Sequence, residues 1–97
     1  MNFQEIINDN KPVLVDFYAD WCQPCKMVAP ILKQVKDQLG DQVKIIKINV
    51  DTNQSVSAKY NIRSIPALLL FKSGKIVWNK VGVASAGEII KNINETI

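Results

Sequence analysis

Cys22 and Cys25 are the only cysteines in a chain of 97 residues, with Gln23 and Pro24 between them. A pair at this spacing can close a reversible disulfide, supply half of a metal site, or be two buried thiols. The chain has no histidine, so it lacks the commonest general base and the commonest transition-metal ligand. Zinc usually takes four ligands from Cys, His, Asp or Glu. Zinc here would need a dimer or carboxylates, and a shared cluster would need a second subunit. Thiol–disulfide exchange needs only the two sulfurs: one thiolate attacks a substrate disulfide and the second thiol resolves the mixed disulfide.

The elements around the pair decide how it is held. VLVDFYA, Val13 to Ala19, is apolar on both faces except for Asp16, the pattern of a strand covered on both sides in a parallel sheet. After the cysteines, Cys25, Val28, Leu32, Val35 and Leu39 recur at spacings of three and four. They form the buried stripe of a long helix, its axis bent at Pro30 and closed at Gly40 in a left-handed conformation. VKIIKINV, Val43 to Val50, is a second strand, and strand–helix–strand order makes the pair parallel. Asp51 to Asn53 caps a short helix running to about Tyr60. ALLLFK, Ala67 to Lys72, is a third strand. The turn at Ser73-Gly74 makes Ile76 to Val81 its antiparallel partner. Asn2 with Glu5, and Ser85 with Glu88, mark the starts of a first and a last helix. Phe3, Ile6 and Ile7 lie on the buried side of the first; Ile89, Ile90, Ile93 and Ile97 lie on that of the last. The expected architecture is α/β: a four-stranded mixed sheet flanked by helices, in one domain spanning 1–97.

The pair therefore falls past the C-terminal end of the first strand, where a helix begins. Free backbone N–H groups and the helix dipole favour a negative charge there, which lowers a thiol pKa. Cys22, at the helix start, is expected to be the exposed, low-pKa sulfur. Cys25, heading the apolar stripe, is expected to be shielded. Pro24 suits a helical first turn. A carboxyl within a buried strand, as at Asp16, should be pushed up by desolvation and could carry a proton.

VLVDFYADWCQPCKMVAPIL, KINVD, YNIRSIPALLLFKSGK and VGVAS, in this order, resemble the thioredoxin family from about Lys11 to the C-terminus. The resemblance implies the thioredoxin fold and a protein-disulfide reductase. It implies Cys22 as nucleophile and Cys25 as resolving thiol. Asp16 would be the buried proton carrier and Lys47 its neighbour. Pro66 would be a cis-proline that presents the backbone of Ile65 to an extended substrate. Trp21, Gly82 and Val83, with Gln23 and Pro24 between the cysteines, complete the rim that receives substrate. Electrons would come from a separate thioredoxin-reductase-type donor and pass to disulfide-containing proteins. No cofactor or metal is implied, and there is no G-x-G-x-x-G for a dinucleotide.

The chain departs from the family in three ways. Gln23 stands where glycine is usual, which affects redox poise and partner choice. Tyr18, Ser64 and Ala67 replace the family's tryptophan, glycine and threonine. Only eleven residues precede Pro12, so the family's first strand is expected to be missing and Val43 to Val50 to form a sheet edge. There Lys44 and Lys47 would discourage pairing between copies. Trp78 has no counterpart and is expected to pack or to be a half-exposed strand residue.

Composition narrows the remaining classes. Net charge is +3, from 12 basic and 9 acidic residues, and the lysines are not interleaved with aromatics, so nucleic-acid binding is not expected. No apolar run is long enough to span a membrane. The N-terminal residues lack a basic region followed by an apolar run, so the expected setting is cytoplasmic, where two cysteines are not a structural staple, and the expected state monomeric. The competing functions are a disulfide oxidase or isomerase of the same fold and a non-catalytic binding module.

Overall fold

The computed structural model describes residues 2–97. Strand β1 (Val13–Tyr18) runs parallel to β2 (Lys44–Asn49) and antiparallel to β3 (Ala67–Lys72), which pairs antiparallel with β4 (Lys75–Val81). Among the described residues the sheet has four strands in the order β2-β1-β3-β4, so β2 is an edge as expected. Helices α1 (Phe3–Ile7), α2 (Gln23–Leu39), α3 (Gln54–Lys59) and α4 (Ala86–Asn94) flank it.

Alternation along β1 and β3 divides the core between the two sheet faces. Leu14, Leu68 and Leu70 meet the α2 stripe (Val28, Leu32, Val35, Leu39) and Ile89 and Ile93 of α4. Val13, Val15, Phe17, Leu69 and Phe71 meet Ile7 of α1 and partly buried residues of α3 and the loop after it. Phe3, Tyr60 and Phe71 lock α1 and α3 onto that face, with ring centroids 5.5, 5.8 and 5.4 Å apart in edge-on or tilted pairs, the geometry aromatic quadrupoles favour. Trp78 packs against the α2/α4 core, as expected of it.

The β3–β4 turn has Ser73 at φ 52° and Gly74 at φ 82°, two positive values that match the right-handed twist of a tight hairpin. Its amides are used twice over: Ser73 N–H donates to Asp9 O (3.0 Å) and Gly74 N–H to Ile7 O (3.1 Å). The hairpin tip thus holds the segment between α1 and β1.

Four local expectations change. Gly40 has φ 56° but ψ −127°, not the left-handed helical value, because α2 runs on into a 3-10 turn at Gly40–Gln42. Asn53 does not cap α3 with its side chain; its Nδ2 donates back to Asn49 O at 3.0 Å. The Ser85 hydroxyl accepts from Glu88 N–H at 3.1 Å, while the Glu88 carboxylate reaches Lys80 Nζ at 3.3 Å across the chain. Ile97 lies beyond the end of α4 and is exposed, so the buried face of that helix rests on Ile89 and Ile93.

Candidate active site

β1 ends at Tyr18, the chain turns, and α2 starts at Gln23 with Pro24 in its first turn. Cys22 is the N-cap of α2, and its extended backbone (φ −87°, ψ 108°) is the usual N-cap conformation. Its Sγ accepts a hydrogen bond from Cys25 N–H at 3.2 Å. A sulfur therefore stands where an N-cap oxygen usually does, facing unpaired helix amides. The two sulfurs are joined as a disulfide, with Cα atoms 5.3 Å apart.

The expected contrast in exposure is absent: Cys22 is 4% and Cys25 6% exposed. Both form a small cluster with Ala19, against which Tyr18, Val50 and Ile65 pack. Val50 and Ile65 arrive from distant segments, so local sequence could not show the cover over Cys22. The asymmetry between the sulfurs lies along the helix instead. Cys22 caps it, and Cys25 is one of the buried residues of its stripe.

Asp16 is buried, and among the described residues neither carboxylate oxygen has a hydrogen-bond partner. Alternation places it on the α2 face of β1, two residues before the Tyr18 that packs on the cysteines. Burial raises its pKa from 3.8 to about 6, and the nearby positive charge of Lys47 opposes part of that rise. Lys47 is the register partner of Asp16 across β1 and β2, and its Nζ lies 4.6 Å from the centroid of the Tyr18 ring, within cation–π range. With Cys25, Lys26 and Asp20, Lys47 also lines a cleft of about 270 Å³. The structure thus links Asp16, Lys47, Tyr18 and Cys25 in one region.

The other side of the pair is the loop before β3. The Ile65–Pro66 peptide is cis, Pro66 is buried and Ile65 half-buried. Pro66 O accepts from Gly82 N–H at 2.8 Å, tying the end of β4 to this loop. Gly82 has φ 98° and open space where a Cβ would sit, so the backbone rather than crowding requires glycine. Gly82→Ala is expected to lower stability by about 1–2 kcal/mol through the strained φ alone; a change below a few tenths in chemical denaturation would contradict this. Val83 follows as an exposed residue, and Gln23 and Pro24 are exposed beside the disulfide.

Trp21 is 70% exposed, and its Nε1–H donates to Asp51 Oδ2 at 2.9 Å. Sequence reading assigned Asp51 to a helix cap and missed this role. The Asp closing KINVD was visible, but nothing local pairs it with an indole 30 residues earlier. Val50, which packs over the sulfurs, was likewise read only as a strand residue.

Comparison with known proteins agrees with this geometry. The thioredoxin family model matches residues 1–95. A thioredoxin from Pyropia yezoensis is 43% identical over 94 residues, covering 97% of this chain and 88% of that protein. Thioredoxin 1 of Synechococcus elongatus is 52% identical over 79 residues, covering 81% and 74%. A mutant thioredoxin from Halobacterium salinarum superposes with a TM-score of 0.87 at 35% identity, covering 96% of this chain and 80% of that one. With a sulfur-capped helix, a paired disulfide and this match over nearly its whole length, the chain belongs to the thioredoxin family and is a thiol–disulfide oxidoreductase.

Proposed function

We propose that the protein is a disulfide reductase in which Cys22 attacks, Cys25 resolves and Asp16 manages the resolving proton. The observation that carries this reading is Cys22 at the α2 N-cap, its Sγ held by Cys25 N–H. A thiolate there gains a hydrogen bond and the helix dipole, both of which favour the charged form. In the dithiol state Cys22 attacks one sulfur of a protein disulfide and expels the other as a thiolate, which takes up a proton. Asp16, ionised above about pH 6, accepts the Cys25 proton. Cys25 then attacks Cys22 Sγ and releases the second substrate thiol. Two electrons pass to the substrate and the Cys22–Cys25 disulfide remains, to be reduced by a thioredoxin-reductase-type donor.

Substrate would lie along the rim formed by Trp21, Ile65, Pro66, Gly82 and Val83, pairing its backbone with Ile65 as an added strand. Gln23 and Pro24, exposed beside the sulfurs, would meet it first, so Gln23 is the residue to examine for poise and partner choice. Lys47 would moderate the charge on Asp16. The work is that of a single domain and a monomer, and a reducing cytoplasm suits the direction of electron flow.

The test is single turnover. Cys25→Ser, mixed with a disulfide-containing protein, should accumulate a covalent adduct through Cys22 that a small dithiol releases. Mass spectrometry showing no adduct, or an adduct through another residue, would refute the assignment of the two sulfurs.

A further inference from the structure

A second cleft, of about 370 Å³, lies between α2 and the edge strand β2. Its floor is Ala29, Leu32 and Ile45, its walls are Lys33, Lys36, Lys44 and Lys47, and no acidic residue lines it. It shares Ala29 and Lys47 with the cleft beside Cys25, so the basic groove leads to the disulfide. Three of the lysines are partly engaged: Lys33 pairs with Asp37 at 3.0 Å on the exposed face of α2, Lys36 Nζ donates to Val43 O at 2.7 Å, and Lys47 Nζ lies 4.6 Å from the Tyr18 ring centroid with its charge acting on buried Asp16. None of these contacts places a carboxylate in the lining of the groove.

The backbone beside this groove is open. Lys44 N–H donates to Pro12 O and Val50 N–H to Tyr18 O. In a parallel ladder the residues that face the neighbour alternate. Hence Ile46 and Ile48 also turn toward β1, while Ile45, Lys47 and Asn49 turn their N–H and C=O outward. Among the described residues no strand covers that edge. The outward-facing Ile45 and Lys47 are also the β2 residues that line the groove together with Lys44.

We propose that this groove docks an extended, acidic segment of the proteins with which the chain exchanges disulfides. Such a segment would pair its backbone with Ile45 and Lys47 and set its carboxylates among the four lysines. The proposal rests on the reductase reading for the partner's identity, not for the docking itself. Edge pairing supplies affinity that is independent of sequence, and the lysines supply selection. The same charges repel a second copy of this strand, so one device excludes self-pairing and favours acidic partners. A nucleic acid would meet the charge but no groove-lining aromatic on which to stack a base.

The experiment is an amide NMR titration of the oxidised full chain with a short cysteine-free peptide of alternating Glu and Val. Saturable shifts are expected at Ile45, Lys47 and Ala29, weakening as salt shortens the screening length from about 30 Å at 0.01 M to about 8 Å at 0.15 M. Lys33→Glu with Lys44→Glu should weaken binding about fivefold or more, and Lys33→Gln with Lys44→Gln by less. Shifts confined to the Trp21–Ile65 rim, equal binding of a Lys-for-Glu peptide, or tighter binding of single-stranded DNA at the groove would each overturn the proposal. Because the probe has no sulfur, a negative titration leaves the reductase reading intact. A failed adduct test equally leaves the groove result standing.

Discussion

Cys22→Ser lowers the rate of protein-disulfide reduction by about a thousandfold or more, to that of the added donor alone. The size follows from the chemistry. Exchange proceeds only by attack of a thiolate on sulfur, and a serine hydroxyl at the same N-cap is protonated at neutral pH and does not displace a thiolate. The helix itself should be unharmed, since serine is a favoured N-cap and can accept the Cys25 N–H that Sγ accepts now. Stability that is unchanged or slightly higher than that of the reduced wild type, together with lost turnover, is the expected pair of results. Turnover within tenfold of wild type would sink the assignment of Cys22 as the attacking sulfur. A fall in both properties would show instead that the variant had lost its local fold.

The second large effect concerns stability. Asp16 titrates near 6 in the fold and at 3.8 in its ordinary environment. Between those values the folded chain keeps a proton that the unfolded chain has released. Native stability therefore falls as pH rises through that window, and the deficit is complete above the folded value. Its size is about 3 kcal/mol, from the span between 3.8 and about 6. Asp16→Ala removes the carboxylate and leaves a small void, so at pH 8 it should be more stable than wild type by about 2–3 kcal/mol. The advantage should shrink on acidification and be largely gone near pH 4, where Asp16 is protonated in the fold and the unfolded chain has released only about half of its proton there. Denaturation at pH 4 and pH 8 decides it: a variant destabilised equally at both would mean that the carboxylate is not held at a cost. The same variant should slow the resolving step and lose its inflection near pH 6. The fold thus keeps a destabilising group in its central strand, consistent with a use in proton transfer.

Much of this arrangement was legible where periodicity governs. The stripe from Cys25 to Leu39, the doubly covered run of β1 and the two-residue turn at Ser73-Gly74 each have local causes, and each appeared at its predicted place. Asp16 was legible for the same reason: one carboxyl in an apolar run has no wet side. The cis bond at Pro66 came from family resemblance alone, since nothing in Ile65-Pro66 as a dipeptide favours it. What failed was tertiary. The burial of Cys22 depends on Val50 and Ile65, and the Trp21–Asp51 bond joins two loops. Glu88 found Lys80, not the N–H of Ser85, because β4 passes beside α4. Ile97 had the right spacing but lay beyond the point where the helix stops.

The double use of the hairpin tip has a practical corollary. A tight turn between two antiparallel strands is ordinarily a good place to insert an epitope, splice in a reporter or open new termini. Here Ser73 and Gly74 donate their amides to Asp9 and Ile7, and a five-residue helix such as α1 is too short to persist unsupported. Lengthening this turn would unfasten the opposite end of the chain as well as loosen two strands.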